Sequence, residues 1–155
     1  MSARAFEVRL LGAADAAGLP ELFEVVLPGF LATMHDGAPL AFLNDRATFV
    51  LGAYLAGGVP AGLGWGVQMR SPGGRLTTYL HELDVRAACR RQGVGTALVR
   101  EAMVLAQRRG STRFWLSTGG HNEVAQSLYE SLGGDRKPLG DVNYWWTFAS
   151  TGPVI

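Results

Sequence analysis

The segment from residue 77 to residue 118 places the strongest constraint on how this chain can fold. The stretch RLTTYLHELDV (75–85) is rich in β-branched and aromatic residues and predicts a strand. The stretch VGTALVREAMVLAQRRG (94–110) predicts an amphipathic helix that ends at a glycine. TRFWLST (112–118) predicts a second strand. A strand, a crossover helix and another strand in this order indicate a parallel pair.

The rest of the chain adds antiparallel strands and further helices. ATFVLGAYL and VPAGLGWGVQM predict two strands joined by a tight Gly-Gly turn, and AFEVRLLG and VNYWWTF predict a first and a last strand. Residues 13–30, 40–46 and 122–134 have helical character. We therefore predict an α/β (α+β) fold: a central mixed sheet of six or seven strands flanked by about four helices, in a single domain spanning residues 1–155.

Composition narrows the class of protein further. A hydrophobic fraction of 48% and a charged fraction of 17% are those of a compact globular chain. Cys89 is the single cysteine, so no internal disulfide forms, which fits a reducing compartment. The uncharged stretch 47–69 has bilayer length, but Gly-Gly-Val-Pro interrupts it and predicts a turn between strands. With no signal peptide predicted, we expect a cytoplasmic protein that spans no membrane.

The charges are unevenly distributed along the chain. Residues 1–45 hold six acidic residues and two arginines, whereas residues 86–113 hold seven arginines and one acidic residue. Solvated helix faces explain such a pattern as well as ligand binding does. If the pattern is functional, it indicates an anionic ligand near the middle of the chain and a cationic ligand near its start.

The loop RRQGVG separates the predicted strand from the predicted helix at the most basic part of the chain. Free N–H groups at a helix start bind anions, glycines let a phosphate approach the backbone, and arginines add charged hydrogen bonds. The two familiar nucleotide-binding motifs fit poorly. A Walker A loop needs a lysine where Thr96 stands, and a Rossmann loop needs a third small residue where Leu98 stands.

The loop instead resembles the pyrophosphate loop of the GNAT acetyltransferases, with its R/Q-x-x-G-x-G/A signature. LHELDV (80–85) is similar to that superfamily's fourth strand, and GHNEVAQSLYESLGG (120–134) to its second conserved motif. The resemblance covers most of the chain. It implies a GNAT-like fold whose parallel strands splay apart around acetyl-CoA, and an N-acetyltransferase activity.

The resemblance also implies how the cofactor is held. The pyrophosphate would lie on the N–H groups of residues 91–96, and the main chain of Leu83 and Val85 would bond the pantetheine arm. The full set of implied cofactor-binding residues is Leu83, Asp84, Val85, Arg90, Arg91, Gln92, Gly93, Val94, Gly95, Thr96, Asn122, Ala125 and Tyr129. An ordinary glycine-rich turn with surface arginines is the alternative for the loop.

Transfer of an acetyl group from a thioester to an amine requires a base for the ammonium and benefits from an acid for the thiolate. By the resemblance, Tyr129 faces the sulfur as the acid, and Asn122 lies seven positions before it on the same predicted helix. Glu82, in an interior strand, is the predicted base, acting directly or through water. The structural alternatives are a boundary tyrosine and a carboxylate paired with an arginine. On the following strand, where some relatives carry the base, this chain offers only Ser117.

Other polar residues have weaker predicted roles. By simple alternation Asp84 shares a strand face with Glu82 unless a bulge intervenes. His81 is then predicted to point to the opposite face. We interpret His81 primarily as a packed residue, with a substrate contact as the second interpretation. His35 and His121 lack partners at metal-ligand spacing, so we predict no metal. Trp145 and Trp146 point to opposite faces of one predicted strand, so one of them needs cover from a helix, a ligand or a second subunit. We predict a homodimer.

Among GNAT proteins the chain is most similar to the aminoglycoside 3-N-acetyltransferases. The points of resemblance are ELFEVV, the hairpin region 40–67, the strand carrying Glu82, and RRQGVGTALV. This resemblance implies a small cationic amine acceptor and links the protein to antibiotic resistance. We expect Asp36, His81, Glu82 and Asp141 to line the acceptor site.

Three other functions compete with this prediction. Another small amine or a peptide amine is an alternative acceptor, and a non-catalytic acyl-CoA-binding domain is an alternative use of the fold. A nucleic-acid binder is disfavoured, because the basic region lacks interleaved aromatic residues and the acidic first third would repel phosphates.

Overall fold

A computed structural model describes residues 5–136 of the chain. Within them lie five strands and four α-helices: β1 Phe6–Leu10, α1 Leu19–Val26, α2 Ala38–Asn44, β2 Thr48–Leu55, β3 Pro60–Arg70, β4 Leu76–Val85, α3 Val94–Arg108, β5 Arg113–Leu116 and α4 Glu123–Ser131. Short 3-10 turns cover Ala13–Gly18, Phe30–Thr33, Ala56–Gly58 and Ala87–Cys89. The predicted last strand, 142–148, lies outside the described residues, as do Asp141, Trp145 and Trp146.

The five strands form one mixed sheet in the order β1-β2-β3-β4-β5. The pairs from β1 to β4 are antiparallel, and β4 and β5 are parallel. The predicted crossover through α3 is therefore confirmed, and the uncharged stretch 47–69 forms the hairpin β2–β3. Among the described residues, no helix is both long and apolar enough to cross a membrane.

Two apolar cores cover the two faces of the sheet. On one face α3 packs on the strands, and its fully buried residues include Val94 and Leu98. On the other face α1 packs through Leu22 and Phe23 against Val50 and neighbouring strand residues. We call these the α3 face and the α1 face. Each helix has one apolar stripe, so the sheet needs a helix on either side to bury both sets of strand side chains.

A β-bulge interrupts β4 at the position that matters most for the site. Trp65 of β3 pairs with Glu82, but the next residue, Gly66, pairs with Leu80, so His81 is an extra residue on β4. Leu80 and Leu83 consequently both pack in the core of the α3 face, although they are three positions apart. Simple alternation fails across His81 and resumes at Glu82.

Candidate active site

The two parallel strands part immediately beyond their fourth paired residue. Their pairing runs from Thr77 with Arg113 to Leu80 with Leu116, and β4 then continues to Val85 without a partner on that side. On its other side, β4 stays hydrogen bonded to β3, and the N–H of Arg86 donates to the Ala61 carbonyl at 2.9 Å.

This pairing fixes the direction of the main chain at the end of β4. Because successive residues in a ladder direct their main-chain groups to opposite sides, Leu83 and Val85 direct theirs away from β3, into the gap between the parted strands.

Side chains of this chain already engage the main chain of Val85. Its N–H donates to Asp84 Oδ1 at 2.8 Å, and its carbonyl accepts from Arg90 Nε at 3.1 Å. Arg90 also lies 3.9 Å from the Asp84 carboxylate. Asp84 and Arg90 therefore form a small polar bridge over the end of β4, and Arg90 is anchored beside the loop that precedes α3.

The loop turns sharply into α3 through two left-handed residues. Arg91 has φ of 62° and Gly93 has φ of 83°. Gly93 is the residue before the helix, and its carbonyl accepts the first intrahelical bond, from Ala97 N–H at 3.0 Å. The N–H groups of residues 94–96 thus form the free first turn of a 15-residue helix, where the helix dipole favours an anion.

Gly95 lies in that first turn, close to both β4 and α4. A Cβ placed on it would lie 3.5 Å from Leu128 and 3.6 Å from Val85, which is ordinary van der Waals contact. The loop is held from behind by Gln92, whose side-chain amide donates to the Ala88 carbonyl at 3.2 Å. Cys89 is buried and packs in the core of the α3 face.

Helix α4 begins one residue later than the sequence pattern indicated. Asn122 is its N-cap, and its Oδ1 accepts the Ala125 N–H at 3.1 Å. Asn122 therefore precedes the helix that carries Tyr129 instead of lying on it. Capping uses only the amide oxygen, and neither N–H donor of the Asn122 side chain is hydrogen bonded within residues 5–136.

Tyr129 is half-buried against the core of the α3 face. Burial raises the pKa of its hydroxyl, and the negative charge of Glu82 raises it further. These two effects keep the phenol protonated to a higher pH than that of a free tyrosine. They also show that Glu82 and Tyr129, on different elements, lie within electrostatic reach of each other.

The Glu82 carboxylate forms no hydrogen bond and no ion pair with the described residues, so the predicted alternative of a carboxylate paired with an arginine finds no support there. The bulge corrects the prediction for His81. Its ring stacks on Trp65, the cross-strand partner of Glu82, at a centroid distance of 4.3 Å. His81 and Glu82 therefore share the α1 face, because the extra residue breaks the alternation that would have separated them.

Residues that the sequence patterns did not single out extend this surface. Tyr79 stacks on Trp115 of β5 at 4.2 Å, and its hydroxyl lies 3.1 Å from Ser117 Oγ. Their signal in the sequence was an aromatic residue at corresponding positions of two strands predicted to be parallel neighbours.

The remaining predicted residues lie apart. Asp36 lines a depression of about 320 Å³ near α1 and α2, whose lining includes no strand residue. The described residues contain no group of three or more His, Cys, Asp or Glu side chains arranged to hold a metal ion.

Residues 19–134 match the model of the acetyltransferase (GNAT) family. The chain belongs to this family. It is an N-acetyltransferase, and enzymes of its family use acetyl-CoA. A search of curated proteins gives no match.

Solved structures share the fold of this acetyltransferase. An aminoglycoside acetyltransferase from an uncultured soil metagenomic sample is 22% identical with a TM-score of 0.81, covering 95% of this chain and 100% of its own. A second one from such a sample, in complex with sisomicin, is 16% identical with a TM-score of 0.79, covering 94% and 97%. The ribosomal-protein-alanine N-acetyltransferase of Brucella melitensis biovar Abortus 2308 is 22% identical with a TM-score of 0.70, covering 92% and 100%.

Proposed function

We propose that this acetyltransferase moves the acetyl group of acetyl-CoA to a primary amine of a small cationic acceptor, with the 3-amino group of an aminoglycoside as the preferred target. The observation that carries the proposal is the gap between β4 and β5. Glu82, whose carboxylate is unpaired among residues 5–136, and Tyr129, whose phenol is protonated, lie within electrostatic reach of each other where the strands part. The first turn of α3, whose N–H groups have no intrahelical acceptor, follows β4.

Main-chain and side-chain groups of β4, the following loop, α3 and α4 would suffice to hold acetyl-CoA. The first turn of α3 and the loop residues Arg91 to Gly93 would hold the pyrophosphate on backbone N–H groups, with Arg90 beside them. The main chain of Leu83 and Val85 would bond the pantetheine arm in the gap, which requires Asp84 and Arg90 to release Val85. The remaining proposed contacts are Gln92, Val94, Gly95, Thr96, Asn122, Ala125 and Tyr129.

In the proposed reaction Glu82 accepts a proton from the acceptor ammonium, either directly or through water. The neutral amine then attacks the thioester carbonyl, the carbon–sulfur bond breaks, and Tyr129 gives its proton to the departing sulfur. The second amine proton, released as the amide forms, restores the Tyr129 phenol. Because the Glu82 carboxylate has no salt-bridge partner within residues 5–136, it is free to take up that proton. A phenol whose pKa is raised still holds its proton when the thiolate leaves.

The choice of an aminoglycoside rests on the resemblance and on two solved relatives of the same fold that act on aminoglycosides. Asp36, His81, Glu82 and Asp141 remain the proposed acceptor contacts, Asp36 from its own depression beside α2. A role in antibiotic resistance, a cytoplasmic location and a homodimer remain predictions. A peptide amine is the second candidate, since an enzyme that acts on a ribosomal protein shares the fold.

A panel assay of thiol release from acetyl-CoA tests the proposal. The panel contains gentamicin, kanamycin, spermidine, free amino acids and an N-terminal alanine peptide. We expect the highest kcat/KM with an aminoglycoside, and product NMR then identifies the acetylated amine. Turnover of the peptide or of spermidine with none of any aminoglycoside would contradict the acceptor. Tight acetyl-CoA binding without turnover of any amine would favour the non-catalytic alternative.

A further inference from the structure

A continuous row of aromatic rings lies on the α1 face beside Glu82. We call Trp65, His81, Tyr79 and Trp115 the aromatic row. Neighbouring centroids are 4.3 Å apart for Trp65 and His81, 5.7 Å for His81 and Tyr79, and 4.2 Å for Tyr79 and Trp115. The row crosses three strands, from β3 over β4 to β5, at the level where β4 and β5 part.

The row differs from an ordinary core cluster in its exposure. Trp115 keeps 42% of its surface accessible and His81 is exposed, whereas Leu80, between Tyr79 and His81 in sequence, keeps only 3%. Leu80 and Leu116 point into the core of the α3 face, so the rings that alternate with them point to the α1 face. Trp65 and Tyr79 are only partly exposed. The exposed faces of His81 and Trp115 have a cost in water that contact with a ligand would offset.

The position of the row relative to the reacting groups follows from the bulge. Because His81 is the extra residue, the row continues directly to Glu82, whose cross-strand partner Trp65 is itself a member. Tyr129 and the first turn of α3 belong to the opposite, α3 face. A molecule that lies on the row therefore meets Glu82 without competing for the surface where we propose that the cofactor binds.

The chemistry of the aromatic row indicates which kind of ligand would bind to it. Aromatic faces attract an ammonium group and pack against the flat face of a ring, and together they offer few hydrogen bonds. Glu82 is the one carboxylate beside the row without a partner among residues 5–136, because Asp84 is engaged by Val85 and Arg90. One carboxylate next to several ring faces suits a single amine carried on a ring. A linear polyamine offers no ring to stack.

We propose that the aromatic row is the acceptor-binding surface, and that Tyr79 and Trp115 select an amine attached to a six-membered ring, or one carbon from it, over a linear amine. This inference rests on the proposed acetyl transfer and makes its acceptor more specific. It also assigns acceptor selection to the strands β4 and β5, whereas the charge pattern of the sequence pointed to the acidic first third of the chain.

The test compares Trp115→Ala with Trp115→Phe and with the control Val59→Ala. Val59 is equally exposed, at 42%, but lies in the β2–β3 turn. With gentamicin as acceptor, Trp115→Ala should raise KM about tenfold at nearly constant kcat, since a lost ring contact is worth roughly one order of magnitude in affinity. Trp115→Phe should recover most of that loss. Spermidine, if it is turned over, should show a smaller rise in KM, because it loses a cation–π contact and no ring contact. The KM for acetyl-CoA should stay unchanged in all variants.

Tyr79→Leu removes the second ring assigned to acceptor selection, together with its contact with Trp115, so its KM for gentamicin should rise as in Trp115→Ala. It also serves as the second variant if Trp115→Ala fails to fold. An unchanged KM for gentamicin in Trp115→Ala, or an equal rise for spermidine, would overturn the inference and leave the proposed acetyl transfer intact.

Saturation-transfer NMR separates the two proposals further. Gentamicin, without acetyl-CoA, should receive magnetisation from the protein's aromatic protons, and less in Trp115→Ala than in Val59→Ala. Binding of this kind without turnover would refute the proposed transfer but support the row. Turnover without any transfer from aromatic protons would refute the row alone.

Discussion

Three glycines of β3 give a sharp test of how tightly the strand that carries Glu82 is packed. Gly62, Gly64 and Gly66 alternate along the strand beside β4, but a Cβ on each would meet different surroundings. On Gly66 it would overlap the Tyr79 carbonyl oxygen and lie 2.7 Å from the Phe49 ring. On Gly64 it would find its nearest neighbour at 3.6 Å.

We therefore expect Gly66→Ala to destabilise the protein by about 3 kcal/mol, because a backbone carbonyl cannot rotate away as the end of a side chain can. Gly64→Ala should be neutral or more stable by roughly 0.5 kcal/mol, since alanine loses less backbone freedom on folding. Gly62→Ala should fall between them, with Asp84 O at 2.9 Å and Val94 Cγ1 at 3.0 Å from the new Cβ. At roughly 2–4 °C per kcal/mol for a chain of this size, Gly66→Ala should melt about 6–12 °C lower.

Urea unfolding followed by tryptophan fluorescence measures the three free energies, and Gly64→Ala is the matched control. Gly66 pairs with Leu80, immediately before the extra residue His81, so its alanine variant should also displace Glu82. We expect lower kcat in Gly66→Ala even well below its melting temperature. Equal stability of Gly66→Ala and Gly64→Ala would refute the reasoning from close packing at the bulge.

Three further predictions follow from the site and its supports. Glu82→Gln should lower kcat about 100- to 10,000-fold. Because the Glu82 carboxylate raises the pKa of Tyr129, the alkaline limb of the residual pH–rate profile should shift to lower pH. A shift of this limb to higher pH would contradict the prediction. Gly95→Ala should keep its affinity for acetyl-CoA, as calorimetry would measure. Gly95→Asp should bind acetyl-CoA at least about tenfold more weakly, because its carboxylate would face the pyrophosphate. Equal affinities of the two variants would contradict the proposed phosphate site. Thr78→Val should cost about 1–2 kcal/mol in urea unfolding, because its buried hydroxyl lies 2.7 Å from Ser111 Oγ, and no loss would contradict that role.

The raised pKa of Tyr129 also predicts how stability depends on pH. Its folded-state pKa lies above the unfolded value near 10, so folding favours the neutral phenol. The contribution of this pKa shift to the free energy of unfolding is fully present below about pH 10 and is lost as the pH rises through the folded-state pKa. Tyr129→Phe should therefore lose less stability than the unmodified protein between neutral and strongly alkaline pH, as urea unfolding at each pH would measure. An identical pH dependence would show that the environment of Tyr129 leaves its titration unchanged.

The elements that the sequence predicted well are those with a clear periodicity of apolar residues or a clear turn signal. The helix from Val94 ends at Arg108, close to its glycine stop at residue 110, and both flanking strands lie where the β-branched and aromatic residues indicated. The β2–β3 hairpin followed from its Gly-Gly turn. These features depend on local chemistry, which a single sequence displays directly.

Of the two features that the sequence did not predict, one had a local signal and the other depends on a neighbouring strand. The start of α4 was placed one residue early, although Asn122 followed by Glu123 has the pattern of an N-cap and an acidic first turn. The bulge at His81 had no local signal in β4. Its cause lies on the neighbouring strand, where Gly66 lets the Tyr79 carbonyl approach, and no pattern within residues 75–85 contains that information.

The bulge determines how the two halves of the proposed reaction are arranged. Without an extra residue, His81 and Glu82 would project to opposite faces, and the carboxylate could not be continuous with both His81 and Trp65. With it, Leu80 and Leu83 pack under α3 while His81 and Glu82 lie together on the α1 face. The proposed cofactor surface and the proposed acceptor surface then meet only in the gap between β4 and β5. Substitutions in the aromatic row should therefore change which amine is acetylated and leave acetyl-CoA affinity unchanged.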